Sequence, residues 1–244
     1  MTQFLTNSEH VQNIVKGLNL TKTLIVSSII IGEANIGKKL LARSIFPTTH
    51  IVSGEDQEAV EEALREYDEL IITDFEKLSN QESLNLENKR IIATANYVAN
   101  QNTIDNLFAF IYTMPPLRER MEDVEHLKEI YINEVKENLM LEDEDFSSFD
   151  MPIDLTQNSK SMKKGIYKFI MTQSMKKEDI QLAVHNYILN NLNGINGYKE
   201  HIELYEKPLI IAGLKKFGSQ LKLAQVLGIN RNTLRKKLHE HGIN

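Results

Sequence analysis

The chain has 244 residues and no cysteine. That excludes disulfides and cysteine-ligated zinc or iron–sulfur centres, and it fits a reducing compartment such as the cytoplasm. Long apolar runs are missing too. The stretch at 24–31 is far too short for a hydrocarbon core roughly 30 Å thick, so no membrane association is expected. No signal-peptide pattern stands at the front. The seven histidines are scattered, with no HxxxH or HExxH spacing, so no metal site is expected. No internal repeat is visible. What remains is 41% hydrophobic and 25% charged, the balance of a soluble globular protein with one large or two to three small domains.

Charge is unevenly placed. The chain carries a net −6, yet its last 38 residues hold eight Lys/Arg against one acid, Glu240, leaving 20 basic and 33 acidic residues ahead of them. A basic tip on an acidic body suits a reader of double-stranded DNA, because the tip is drawn to phosphates while the body is repelled. Three short helices fit this tail. Pro208 presets φ for the first turn of a helix running to Phe217, and Gly218-Ser219 ends it. Leu221, Leu223, Ala224, Val226 and Leu227 pattern the second helix, with Gly228 as the residue that stops it. Asn230 caps the third, Leu234 and Leu238 face the core, and Arg231, Asn232, Thr233, Arg235, Lys236 and Lys237 supply a polar-basic front. This is the helix-turn-helix plan. Arg231 and Asn232 suit base edges, while Lys236 and Lys237 suit phosphates.

The run 224–238, AQVLGINRNTLRKKL, gives residues 205–243 a resemblance to the Fis-type DNA-binding domain that closes many bacterial enhancer-binding regulators. The resemblance implies a homodimer, with contacts in the helix around 204–214.

The front half follows another pattern. The β-rich run 23–31 leads into Gly32-Glu33-Ala34-Asn35-Ile36-Gly37-Lys38-Lys39, and a helical pattern follows. Strand, G-x-x-x-x-G-K, helix is the setting of a phosphate-binding P-loop. Its glycines free backbone N–H groups for phosphate oxygens, while Lys38 and the helix N-terminus add positive potential. Lys39 stands where a magnesium-binding Ser/Thr is usual. Leu70-Ile71-Ile72-Thr73-Asp74 reads as a strand ending in a magnesium-site carboxylate, and 90–96 as another ending in Asn96. Strands are also expected near 50–53 and 108–113. The ligand implied is ATP or ADP, with magnesium, at the carboxyl ends of a mostly parallel sheet.

Residues 4–127 resemble the AAA+ module of sigma-54-dependent activators. Phe4-Leu5-Thr6-Asn7-Ser8 is similar to its opening, 32–38 to its GESGTGKE loop, and 114–124 (MPPLRERMEDV) to its LPPLRER run. The fold implied is an α/β AAA+-like sheet, a helical lid and an all-α helix-turn-helix domain. The departures bear on activity. Phe75 follows Asp74 where the family has a water-positioning glutamate, and strand alternation would turn Glu76 to the opposite face. No arginine or lysine occurs between Arg90 and Arg118, where the family keeps its arginine fingers. Lys38 and Asp74 are too close in sequence to hold the GAFTGA loop, and no such string occurs. The family's lid motif decays to 157–162, with Lys160 in place of its arginine.

The domains expected are 1–124 for the AAA+ α/β part, 125–197 for lid and linker with helices at 127–139, 161–172 and 177–192, and 198–244 for the helix-turn-helix. The acidic run 141–149 reads as a loop. The function expected is a sequence-specific DNA-binding transcription regulator, cytoplasmic and nucleoid-associated. Its AAA+ module would bind ATP but hydrolyse it poorly, so no catalytic residue is assigned. Two alternatives stand beside it: an ATP-hydrolysing sigma-54-dependent activator acting on RNA polymerase, and a modulatory subunit of related AAA+ regulators. With no receiver domain expected ahead of residue 1, a signal would arrive through nucleotide, partner or abundance.

Overall fold

The computed structural model describes residues 4–146 and 150–243; the end of the acidic run, 147–149, lies outside them. The chain forms two compact units, divided after Gln173.

The first unit is built on a five-stranded parallel sheet: β1 (Ser28–Ile31), β2 (His50–Ser53), β3 (Glu69–Thr73), β4 (Arg90–Ala95) and β5 (Phe110–Thr113), in the order β2-β3-β4-β1-β5. The strands alternate strictly because both faces are covered. Ile29, Leu70, Ile72, Ile91 and Ala93 face one side and pack with Val60, Ala63 and Leu64 of α3 (Gln57–Glu66) and Ile104 of α4 (Gln101–Leu107). Ile30, Ile71 and Ile92 face the other, against α1 (Glu9–Leu20) and α2 (Lys38–Ile45). β1 is shorter than the apolar run 23–31, since Thr21–Thr23 form a 3₁₀ turn and Leu24 and Ile25 are exposed. A third core, centred on Leu117, Val124, Val135, Met162, Ile166 and Ile170, joins α5 (Met121–Leu139) to α6 (Ser159–Ser174). This is the mostly parallel α/β sheet expected for the front half, followed by a helical pair.

The second unit is all helical: α7 (Lys177–Asn191), α8 (Gly197–His201), α9 (Glu203–Phe217), α10 (Gln220–Leu227) and α11 (Arg231–Glu240). The lid expected over 125–197 is therefore shorter in the structure, because α7 groups with the C-terminal helices. Pro208 does not open its helix either. It sits inside α9, whose first turn is set by Glu203 and Glu206. Acids there complement the helix dipole, and proline withholds only the single bond to the carbonyl four residues back. Ile210, Leu223, Ala224, Leu234 and Leu238 form this unit's core.

Candidate functional site

The loop between β1 and α2 wraps a cavity of about 400 Å³ at the carboxyl ends of the strands. Gly37 caps α2 at φ 101°, a backbone shape in which a side chain would be strained, and a Cβ there would lie 3.0 Å from the Phe4 ring. Lys38 opens the helix and turns inward, only 7% exposed. Its Nζ donates to the carbonyls of Gly32 (2.7 Å) and Glu33 (2.6 Å) and to Asn96 Oδ1 (3.0 Å). Burial pushes its pKa down to about 8, against the pull of Glu76, Asp74 and Glu33. Asn35, Ile36, Gly37, Lys38, Lys39, Asp74 and Asn96 line this cavity, so the structure gathers most of the residues expected to meet phosphate. Phe4, Leu5, Leu40, Leu127, Ile130 and Tyr131 add apolar surface to the same cavity. A cavity that combines cationic, polar and apolar lining suits a ligand with an anionic part and a flat, weakly polar part.

Glu33 and Ala34 tie the loop down instead. Arg118 grips Glu33 with two bonds, Nη1 to Oε2 at 2.9 Å and Nη2 to Oε1 at 2.5 Å. Asn158 Nδ2 donates to Glu33 Oε2 (3.1 Å) and to the Ala34 carbonyl (3.0 Å). The Arg118 and Asn158 bonds hold the Glu33 carboxyl down to about 2. Ser159 Oγ donates to the Asn35 carbonyl at 2.6 Å. The loop tip is thus fastened to the start of the lid. Lys160 is exposed and does not line the cavity, so it takes no part at this site.

Sequence reasoning missed three side chains here. Arg120 is almost fully buried, donating to Asp123 Oδ2 (3.0 Å) and the Ile36 carbonyl (2.5 Å). Asp123 also accepts from Thr6 Oγ1 (2.8 Å) and the amides of Asn7 (2.6 Å) and Ser8 (3.2 Å), pinning the opening segment beside the loop. Their only sequence signal was the RER-x-x-D pattern of 118–123. The third, Glu76, corrects an expectation. β3 ends at Thr73, Asp74 adopts a left-handed conformation (φ 54°), and 75–77 form a 3₁₀ turn. Strand alternation therefore stops before Glu76. Phe75 goes into the core against Phe108, and Glu76 returns to the site, where its Oε1 accepts from Asn96 Nδ2 at 2.5 Å. Its Oε2 is buried without a partner among the described residues.

In the second unit Gly228 ends α10 at φ 66°, a left-handed conformation that residues with a Cβ adopt only under strain, and Asn230 Oδ1 caps α11 by accepting from Asn232 N at 2.9 Å. Leu234 and Leu238 are buried, while Arg231, Asn232, Thr233, Arg235 and Lys236 are exposed. Lys237 departs from the expected front. It pairs with Glu206 of α9, as does His241 at 3.1 Å, because its position on α11 faces back toward that helix.

The sequence family "Bacterial regulatory protein, Fis family" matches residues 201–241. The DNA-binding protein Fis of Aliivibrio fischeri (strain MJ11) is 37% identical over 78 residues, covering 30% of this chain and 79% of that protein. The chain belongs to the Fis family. Its Fis-type helix-turn-helix is the α10–α11 pair just described. The HTH-type transcriptional regulatory protein TyrR of Haemophilus influenzae is 26% identical over 139 residues, 53% of this chain and 44% of that protein, so the chain spans less than half of that relative. Among solved structures, NtrX from Brucella abortus in complex with ATP is similar over 99% of this Fis-family chain and 70% of its own, with a TM-score of 0.55 and 16% identity. Its complex with ADP gives 0.54 and 15%. At that identity the likeness is one of fold.

Proposed function

We propose that this protein is a dimeric, sequence-specific DNA-binding transcription regulator whose AAA+-like unit binds ATP or ADP and turns it over slowly. One observation carries the first half. α11 buries Leu234 and Leu238 and leaves Arg231, Asn232, Arg235 and Lys236 together on its open face. A polar-basic helix front after a tight glycine turn is the geometry that enters a major groove. A groove on the second unit, lined by Ile180, Val184, Leu192, Leu204 and Tyr205, supports the dimer, since α7 has no buried residue within one chain. The buried Lys38 and the glycine-ended loop that opens α2 support the nucleotide. Titration against labelled genomic fragments at several salt concentrations tests the DNA reading, because each phosphate contact steepens the salt slope. Binding that is undetectable, or indifferent to salt, would end it.

A second reading, an ATP-hydrolysing activator, is favoured by the placement of Glu76. Phe75 can orient no water, but the carboxylate one residue on lies against Asn96. Phosphate release that Lys38→Ala and Glu76→Gln each abolish, with nucleotide binding kept by the second variant, would favour that reading over slow turnover.

A further inference from the structure

The residues around the phosphate loop fit nucleotide better than they fit magnesium. The position after Lys38 carries no hydroxyl, and neither does the GESGTGKE loop it resembles; what differs is the sign, an ammonium, Lys39, where that loop has a carboxylate. Of the carboxylates near the cavity, Glu33 is held by Arg118 and Asn158 and Asp123 by Arg120 and the opening segment, while Glu76 is bonded to Asn96 through Oε1 only, its Oε2 buried without a partner among the described residues and off the cavity lining. Asp74 alone lines the cavity without a hydrogen bond, and Lys77 Nζ stands 3.9 Å from it. Magnesium demands an octahedron of hard oxygens and is ordinarily held by one or two carboxylates plus phosphate. On the cavity lining itself one unbonded carboxylate, Asp74, stands with two lysines, Lys38 and Lys39, and Glu76 lies behind Asn96. Arg120 and Asp123 cancel, so Lys38 and Lys39 outweigh Asp74 on the cavity wall.

Resting on the nucleotide reading above, we infer that this site takes a nucleoside di- or triphosphate as the free anion, with Lys39 supplying the positive charge that a divalent cation supplies elsewhere. Lys39 is exposed on the first turn of α2, on the cavity wall and beside the buried Lys38. Its ammonium can swing to phosphate oxygens on a flexible stem, whereas Lys38 is already engaged by two carbonyls and Asn96. A cation at that point attracts the phosphates and repels Mg²⁺. The arrangement favours retention of nucleotide over its cleavage, because no metal bridges the oxygens between which charge shifts during phosphoryl transfer.

The test is a fluorescence titration of the full chain with a mant-labelled ADP, in EDTA and in excess MgCl₂. A parallel thermal-shift series serves as a readout independent of turnover. Wild-type affinity is expected to agree in the two buffers within about threefold, a difference worth less than roughly 1 kcal/mol. Lys39→Ser removes the charge and installs a hydroxyl. It should bind about tenfold more weakly in EDTA and recover on adding Mg²⁺. Lys39→Glu should lose binding in EDTA by at least as much. Both should melt like wild type without nucleotide, since Lys39 is exposed. The inference is overturned if Mg²⁺ tightens wild-type binding tenfold or more, or if Lys39→Ser matches wild type in both buffers. Absence of saturable binding by wild type in either buffer would sink the nucleotide reading itself, and this inference with it.

Discussion

Lys38 shows how burial and local acceptors together set the charge of one side chain. Its ammonium is nearly removed from water, and burial has brought its pKa down from 10.5 to about 8. Three acceptors hold it in place, all of them from the protein itself. A phosphate that displaces them meets a cation below pH 8 and a neutral amine above it. The sign follows: nucleotide affinity should be flat near neutrality and fall as pH rises through about 8, the reverse of any effect from deprotonating phosphate. A pH series of the same titration checks this, and Lys38→Arg, which stays charged throughout, should lose the fall. Glu33 behaves oppositely. Its pKa is depressed, so whatever the Arg118 latch contributes is present above 4.5 and is lost as pH falls toward 2. The latch is exposed to solvent, which keeps that contribution small.

At the scale of elements, local rules accounted for more of the second unit than of the first. Gly228, Asn230, Leu234 and Leu238 do what their spacing implies, because a turn residue, a cap and an i, i+4 apolar pair each act within one or two helical turns. The double variant Arg231→Ala/Arg235→Ala should therefore lose DNA affinity by at least about tenfold and flatten the salt slope by up to two phosphate contacts, while unfolding as cooperatively as wild type. Circular dichroism melting beside the DNA titration separates the two effects. Loss of cooperative unfolding would mean that these arginines pack inward. The strand pattern of the first unit was legible for the same reason, down to 50–53 for β2. What spacing could not show was where β3 stops. A left-handed Asp74, two residues ahead of Glu76, ends the alternation that would have turned that carboxylate away. Nothing in the run Thr73-Asp74-Phe75-Glu76 announces that turn, since aspartate tolerates the left-handed region but does not require it.

For the whole molecule, the open question is how the chain covers its apolar surface. α7 contributes Ile180 and Val184, and Leu192 just past its end joins them, in a groove shared with Leu204, Tyr205 and Pro208; Ile180, Leu192 and Tyr205 are more than half exposed. Apolar area of this kind is rarely left to water. If a second copy covers it, Tyr205→Glu should shift dimer to monomer at micromolar concentration, because the new carboxylate would lose hydration with no partner. Light scattering on a sizing column reads the mass directly, and an unchanged mass would refute a dimer through this groove. Such a variant should also weaken DNA binding, since two half-sites are read only by a joined pair.

The amino-acid order by itself decided what depends on neighbours close in the chain: the parallel-sheet pattern, the glycine-rich loop before α2, the helix-turn-helix, and the exclusion of cysteine chemistry and of apolar membrane helices. Tertiary structure decided what depends on partners far apart. Glu76 meets Asn96 across two strands, Asn158 reaches back to Glu33, Lys237 turns from the groove-reading face to Glu206, and α7 joins the C-terminal unit. The physical reason is common to the first three, whereas α7 brings apolar side chains to the groove of the second unit. A buried or half-buried charge goes where a partner can satisfy it, and that partner's identity is set by how the elements pack, which no local spacing encodes.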